Sequence, residues 1–427
     1  MKVPTETDLF QQSGLVGAGE VRTILPTVNI LFLSQRVPYP PNRGDKISTW
    51  RLVSRFRREH EVRVLAFAHN QEDLDAAQKL CDMGIQTTAI PHNEFWKKVQ
   101  SLPLLLTNTP LTLGVYGSKK LQKKVDDLAQ WADLAYAFSS SMGAFFEHHP
   151  ELQRVLHIGE LDSDKWRQYS ERTRFPMSAV YRREWRTLRE YERRLAHMVT
   201  ENVLCTHLEQ RIFNQEIPGA SSIVLRNGVD LEQFFPAPEA SEANHLVFTG
   251  VMNYLPNVDG CLWFAKDIFP RIQERYPDAR FTIIGSHPTP EIQALNNQAG
   301  IHVTGFVDSV TGWIQKGAVA VTPLRIARGI QNKVLEAMAC GLPVVGTTSA
   351  TQGVEGQAGR DYIVADDATL FIDMVCELLA DPARGRALGQ TARQFVEDNY
   401  HWEVAFAPLD DIVAKCATNI RLQKENP

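Results

Sequence analysis

The sequence predicts an α/β protein of two doubly wound domains, each a parallel sheet wrapped on both faces by helices. Three observations predict it. Short apolar runs alternate with stretches at helical period, the pattern of strand, crossover helix and parallel strand. The 427 residues, 44% hydrophobic and 22% charged, suit a globular chain with two cores of about 200 residues each. The alternation also breaks near Pro236, where the polar, acidic PAPEASEAN follows a turn-like NGVD at Asn227 to Asp230.

Asn29 to Ser34 reads as the first strand. A Pro/Gly-rich loop, QRVPYPPNRGDK, leads to a helical pattern from Ile47 and a second strand at Val62 to Ala68. Leu134 to Phe138, Val155 to Leu161 and Met198 to Cys205 are further strand candidates, with the middle of this domain carrying the weakest pattern. Beyond Pro236 the alternation is cleaner, with strands at His245 to Thr249, Phe281 to Ile284, Ile301 to Val303, Ala318 to Leu324 and Pro343 to Gly346. Tyr400 to Cys416 is a last amphipathic segment. The predicted division is a loose tail over 1–26, a first domain over 27–235, a second over 236–398, and a closing segment over 399–427.

A net charge of -5 gives no global electrostatic case for nucleic acid, and none is expected as a partner. Six scattered cysteines form no metal-ligand spacing and no disulfide framework, which fits a reducing cytoplasm. No apolar run approaches the roughly 20 residues of a membrane helix, and Met1 to Pro26 lacks a basic, apolar leader.

Chemistry concentrates in PLRIARGIQNKVLEAMACGLPVV, from Pro323 to Val345. A buried strand runs into a cationic loop and then a helix predicted over Ile330 to Cys340, stopped by Gly341 and Pro343. First-turn amides lack intrahelical partners and the helix dipole is positive there, so phosphate oxygens are favoured. Arg325, Arg328 and Lys333 add formal charge. Glu336 shares a face with Asn332 and Lys333, where a carboxylate could accept two ribose hydroxyls. The blander readings are a Lys333–Glu336 pair at helical spacing and a solvated Arg325.

With the Gly-bearing first loop, NGVD, LDSDKW, FTGVMNYLPN and PLRIARGIQNKVLEAMACG, the chain resembles glycosyltransferase family 4, over most of Asn29 to Ala414. It looks closer still to a subgroup associated with exopolysaccharide synthesis alongside exosortase protein sorting. The resemblance implies a GT-B fold with a central cleft, a UDP- or GDP-type nucleotide-sugar donor on the second domain, and a glycan or lipid-linked acceptor on the first. It also implies retention of anomeric configuration, no metal or other cofactor, and a last helix crossing back onto the first domain. Carried over, Glu336 would hold the donor ribose. Gly329, Ile330, Gln331 and Asn332 would meet the diphosphate, and Gly305, Phe306 and Val307 the nucleobase, although Phe306 also reads as an ordinary core aromatic. The family's usual first glutamate falls on Arg328, and the arginine and lysine common after the first strand of the second domain are missing from Gly250 to Asn257, where Gly250 and Asn253 remain donor-side candidates. The missing charge reappears as Arg325, Arg328 and Lys333, with Arg328 and Lys333 expected to stabilise the leaving diphosphate.

In the first domain, Glu160, Asp162 and Asp164 cluster at a strand end. Asp162, then Glu160, could take the acceptor's proton, and Asp162 reads equally as a helix cap. Gly44 would let the first loop approach the donor, with Asp45 and Lys165 on the acceptor side. His157 reads as a core histidine. Arg182, Arg186, Arg189 and Arg193 recur at helical spacing, with Arg51, Arg55 and Arg58 as a second stripe. They predict either ion pairing with nearby glutamates or docking on the anionic inner face of the cytoplasmic membrane. Two other readings stay open: a nucleotide-sugar epimerase of related architecture, and a non-catalytic assembly partner that binds nucleotide sugar or membrane.

Overall fold

The computed structural model describes residues 27–425; the predicted tail over 1–26 lies outside them. Two parallel sheets carry the fold. The first runs in the order β3-β2-β1-β4-β5-β6-β7, from β1 (Asn29–Ser34), β2 (Glu61–Ala68), β3 (Gln86–Pro91), β4 (Leu134–Phe138), β5 (Gln153–Gly159), β6 (Glu201–Leu204) and β7 (Ser222–Val224). The second runs β10-β9-β8-β11-β12-β13, from β8 (His245–Thr249), β9 (Arg280–Ile284), β10 (Ile301–Gly305), β11 (Val319–Thr322), β12 (Val344–Gly346) and β13 (Ile363–Val364).

The central strands form because their residues are apolar on both faces, which only a sheet covered on both sides can bury. Leu31, Phe32 and Leu33 are fully buried, as are Leu246, Phe281 and Ile283. The apolar runs at β1, β4 and β8 coincide with the strands they predict. β3 gives no such run because QTTAIP is a half-exposed edge strand, and β7 and β13 are too short to show a period.

Two helices differ from expectation at their starts. The first begins at Gly44, before Ile47, following an extended Arg43. The other spans Asn332–Ala339, not Ile330 to Cys340, because Gln331 is extended and the preceding loop packs elsewhere. The predicted segment Tyr400 to Cys416 is also broken: one helix ends at Tyr400, a short turn covers Trp402–Ala405, and a last helix runs Ala407–Glu425. The chain leaves the second sheet there and returns to the first. Trp402, Phe406, Leu409, Ile412 and Cys416 pack in one cluster with Val28, Ile30, Phe32 and Val64, and Val229 N–H donates to the Tyr400 carbonyl at 2.7 Å.

Trp402 is thus the first large side chain to re-enter the first domain. Trp402→Ala should lower the unfolding free energy by about 3–5 kcal/mol, the usual cost of deleting a buried indole, read by urea denaturation; a loss under about 1 kcal/mol would show that the return segment does not depend on it.

Candidate functional site at the cleft between the sheets

In each sheet the strand order reverses once, between β1 and β4 and between β8 and β11. A crevice opens beyond the carboxyl ends of strands at such a reversal, because the two connections leave to opposite faces. Four segments therefore converge: the loop after β1 ending at Gly44, Ser139 to Ser141 after β4, Gly250 to Asn257 after β8, and Pro323 to Gln331 after β11. The Gly250 to Asn257 and Pro323 to Gln331 motifs of the second domain sit at the reversal, whereas Gly305 to Val307 follow the edge strand β10.

Lys333 reaches back from the helix after β11 to the loop after β8. Its ammonium donates to Asn257 Oδ1 at 2.7 Å and lies 5.1 Å from the Phe248 ring centre. Among the described residues no carboxylate stands within 4.0 Å of it, so the blander reading of a Lys333–Glu336 pair does not hold. Burial lowers the Lys333 pKa to about 8, against the opposing pull of Cys261 and Glu336. Burial likewise raises Glu336 to about 7, opposed by Lys333. Asn332, on the same half-buried face, has a buried Oδ1 without a protein partner. Its Nδ2 is 4.0 Å from where a Cβ on Gly44 would stand, so the first domain closes against this helix start.

The loop after β8 is held by backbone packing. A Cβ on Gly285 would stand 1.7 Å from the Gly250 carbonyl oxygen, at φ +149°, so only glycine fits there. Asn257 turns inward, donating from Nδ2 to the Val251 carbonyl at 3.0 Å, while Asn253 is exposed.

Arg325 and Arg328 correct the expectation of three cations on one anion. Arg325 pairs with Asp259 (Nε to Oδ2, 2.9 Å) and lies over Trp263, half-exposed. Arg328 points into the first domain, where it bonds Asp164 and, at 3.0 and 2.6 Å, both carboxylate oxygens of Glu209. Burial opposes its charge, yet these carboxylates hold its pKa above the usual arginine value. Its guanidinium is spent on clasping the two domains. Gly329, at φ +61°, lies against Cys205 and Glu160. Gln331 donates back to the Arg328 carbonyl at 2.9 Å.

On the first domain, Glu160 stands at the end of β5 with a buried Oε2 that has no protein partner. Burial, reinforced by Glu209, raises it to about 7 although Arg328 opposes the shift. Asp162 opens the helix Asp162–Arg172 but makes no capping bond. It accepts from Ser140 Oγ at 2.9 Å, and burial raises its pKa. The Ser163 amide is taken by Glu192, 3.4 Å away, which burial and Asp162 raise to about 8. Asp45 pairs with Arg43 at 3.0 Å, and Lys165 is exposed, 6.0 Å from the rings of Trp166 and Tyr169. His157 is a core histidine, its Nδ1 2.7 Å from the Tyr136 hydroxyl and its pKa lowered by burial to about 3.

Phe306 is not a core aromatic. It is 77% exposed after Gly305 at the end of β10, while Val307 packs inward. The arginine stripes are largely neutralised: Arg189 and Arg193 share Glu216, and Arg51, Arg55 and Arg58 pair with Asp230, Asp410 and Glu403. Sequence reasoning missed Glu209, because an ordinary helix glutamate gives no local signal, and read Glu192 as an ion-pairing residue of a solvated helix, whereas it is fully buried. It also missed Tyr254, half-exposed within the quoted FTGVMNYLPN, whose hydroxyl burial pushes up to about 12 with Tyr169 and Glu160 adding to the shift.

Residues 243–381, which hold the Lys333 site but not the first domain, match the family model for glycosyl transferases group 1. A Klebsiella pneumoniae protein described as an uncharacterized 44.6 kDa protein in the cps region is 20% identical over 173 residues, 39% of this chain and 45% of that one. The GDP-mannose-dependent alpha-(1-6)-phosphatidylinositol monomannoside mannosyltransferase of Mycolicibacterium smegmatis is 26% identical over 220 residues, 46% and 57% of the two chains. The chain thus spans about half the length of the curated relatives it matches. Among solved structures, sucrose-phosphate synthase from Thermosynechococcus elongatus superposes with TM-score 0.65 at 14% identity, covering 92% of this chain and 100% of that one. Anabaena HepE in complex with UDP superposes with TM-score 0.66 at 14% identity, covering 90% and 99%. The architecture is the GT-B fold.

The raised Glu160 carries a stability cost only when ionised. Its contribution is intact below the ordinary glutamate value of 4.5 and is lost as pH rises through about 7. Glu160→Gln should therefore exceed the wild type in urea stability at pH 8, by up to about 3 kcal/mol, and match it near pH 4.5; equal stability at both pH values would place an ordinary carboxylate there.

Proposed function

We propose that this chain is a retaining, metal-independent glycosyltransferase that moves a sugar from a UDP- or GDP-type nucleotide sugar to a glycan or lipid-linked acceptor in exopolysaccharide assembly. One observation carries the proposal. Lys333 holds a half-buried ammonium with an amide oxygen and a ring as its near neighbours, and no carboxylate counter-ion among the described residues, at the reversal point of the second sheet. An anion is the missing complement, and a diphosphate matches the two glycine loops beside it.

In this reading Glu336 and Asn332 hold the ribose and the proximal phosphate, and Gly329 lets the backbone approach. Phe306 offers its exposed ring to the base. As the bond from the anomeric carbon to phosphate oxygen breaks, its electron pair stays on the diphosphate, and Lys333 meets that charge without moving. The acceptor hydroxyl enters from the first-domain side. Glu160, with its unpartnered oxygen beside Gly329, is better placed than Asp162 to take the hydroxyl proton, because Asp162 already accepts from Ser140. The family match over 243–381, the mannosyltransferase relatives and the UDP-bound structural neighbour support this reading. The cps-region relative supports the polysaccharide setting.

Turnover of UDP- and GDP-sugars by the purified chain, with and without candidate acceptors, tests the class: release of nucleotide dependent on acceptor is expected, and failure of every donor to bind would end it. Lys333→Ala should lower the rate on the accepted donor by about 10²- to 10³-fold; unchanged turnover would remove Lys333 from the mechanism. Because the protonated form is the active one, kcat/KM should fall as pH rises through about 8, and Lys333→Arg should carry that limb to higher pH. An alkaline limb that ignores the substitution would belong to another group.

A further inference from the structure

We infer that an apolar strap on the first domain, Phe95 to Leu106 together with Phe175 and Met177, is a docking surface for an anionic lipid bilayer. Among the described residues this is the longest run of large apolar side chains left in solvent: Trp96 is 58% exposed, Phe175 83% and Leu106 93%, with Phe95, Leu102 and Met177 also exposed. Exposed apolar clusters of this kind are uncommon on a protein that meets only water.

The strap is mounted, not loose. Glu184, buried in the helix Met177–Ala196, accepts the Leu111 and Thr112 amides at 2.7 and 2.8 Å. The neighbouring Arg183 donates to the carbonyls of Leu104, Leu105, Thr107 and Thr109. A segment held this firmly presents its apolar side chains outward because the fold puts them there.

Charge chooses the occupant. Arg172, Arg174, Arg182 and Arg186 are exposed around Phe175 and Met177 and make no ion pair among the described residues, unlike Arg189 and Arg193 further along the helix. A second copy of the chain would have to set this basic rim against itself in a two-fold contact. Anionic headgroups complement it, each adsorbed arginine contributing roughly fivefold to partitioning, while an indole such as that of Trp96 suits the headgroup boundary. The docking face is then the strap and the start of this helix with Arg182 and Arg186, and not the Arg189 and Arg193 end of the stripe, which is paired.

Flotation of the full chain with phosphatidylcholine vesicles, with and without phosphatidylglycerol, tests this independently of any enzymatic activity. Binding to the anionic vesicles at low salt is expected. Trp96→Ser/Leu106→Ser/Phe175→Ser should weaken it about tenfold or more, with an unchanged thermal transition showing that the variant folds. Arg172→Gln/Arg174→Gln/Arg182→Gln should remove its salt sensitivity. Brominated lipid should quench tryptophan emission less in Trp96→Phe than in the wild type. The proposal is overturned if the wild type stays with the lipid-free fraction, if the apolar triple variant floats equally well, or if that variant only converts a dimer into a monomer.

Discussion

The site depends on one half-buried ammonium ion without a carboxylate to neutralise it. Moving a cation into a protein interior is costly, and chains ordinarily offset the cost with an acid. Lys333 has instead an amide oxygen and an aromatic face. Its lowered pKa records that strain. The glycine contacts of the loop after β8, the inward turn of Asn257 and the late start of the Asn332–Ala339 helix all keep the ammonium where a bound anion would complete it.

The two domains are held together by a different kind of interaction. Arg328 is satisfied fully, by Asp164 and Glu209 of the first domain, and a smaller clasp joins Glu355 to His207 and Arg226. Removing one partner from such a buried network leaves the others unpaired, which is generally costlier than the network is stabilising. The cations thus divide: Arg328 joins the two domains, and Lys333 is left without a carboxylate partner among the described residues. Glu160 sits between, its free oxygen against Gly329.

The parts legible in the sequence are those fixed over a few residues. Apolar runs gave β1, β4 and β8 because these strands are buried on both faces. Lys333, Glu336 and the Gly250 loop were readable because helical spacing and the strand-end rule act locally. What was not readable is set by how distant segments meet. Arg328 finds Glu209 across 119 residues of chain, and the interruption at His401 follows from packing Trp402 into the first core. Arg325 reads in sequence as a donor-side cation or a solvated loop charge, and it is instead captured by Asp259 on the neighbouring helix.

The central claim is that Lys333 waits for a diphosphate. Calorimetric titration of nucleoside diphosphate and of the corresponding nucleoside into the wild type and Lys333→Met tests it most directly. The account predicts that the substitution weakens the diphosphate by about tenfold or more and leaves the nucleoside unchanged; equal affinity of the two proteins for the diphosphate would contradict it.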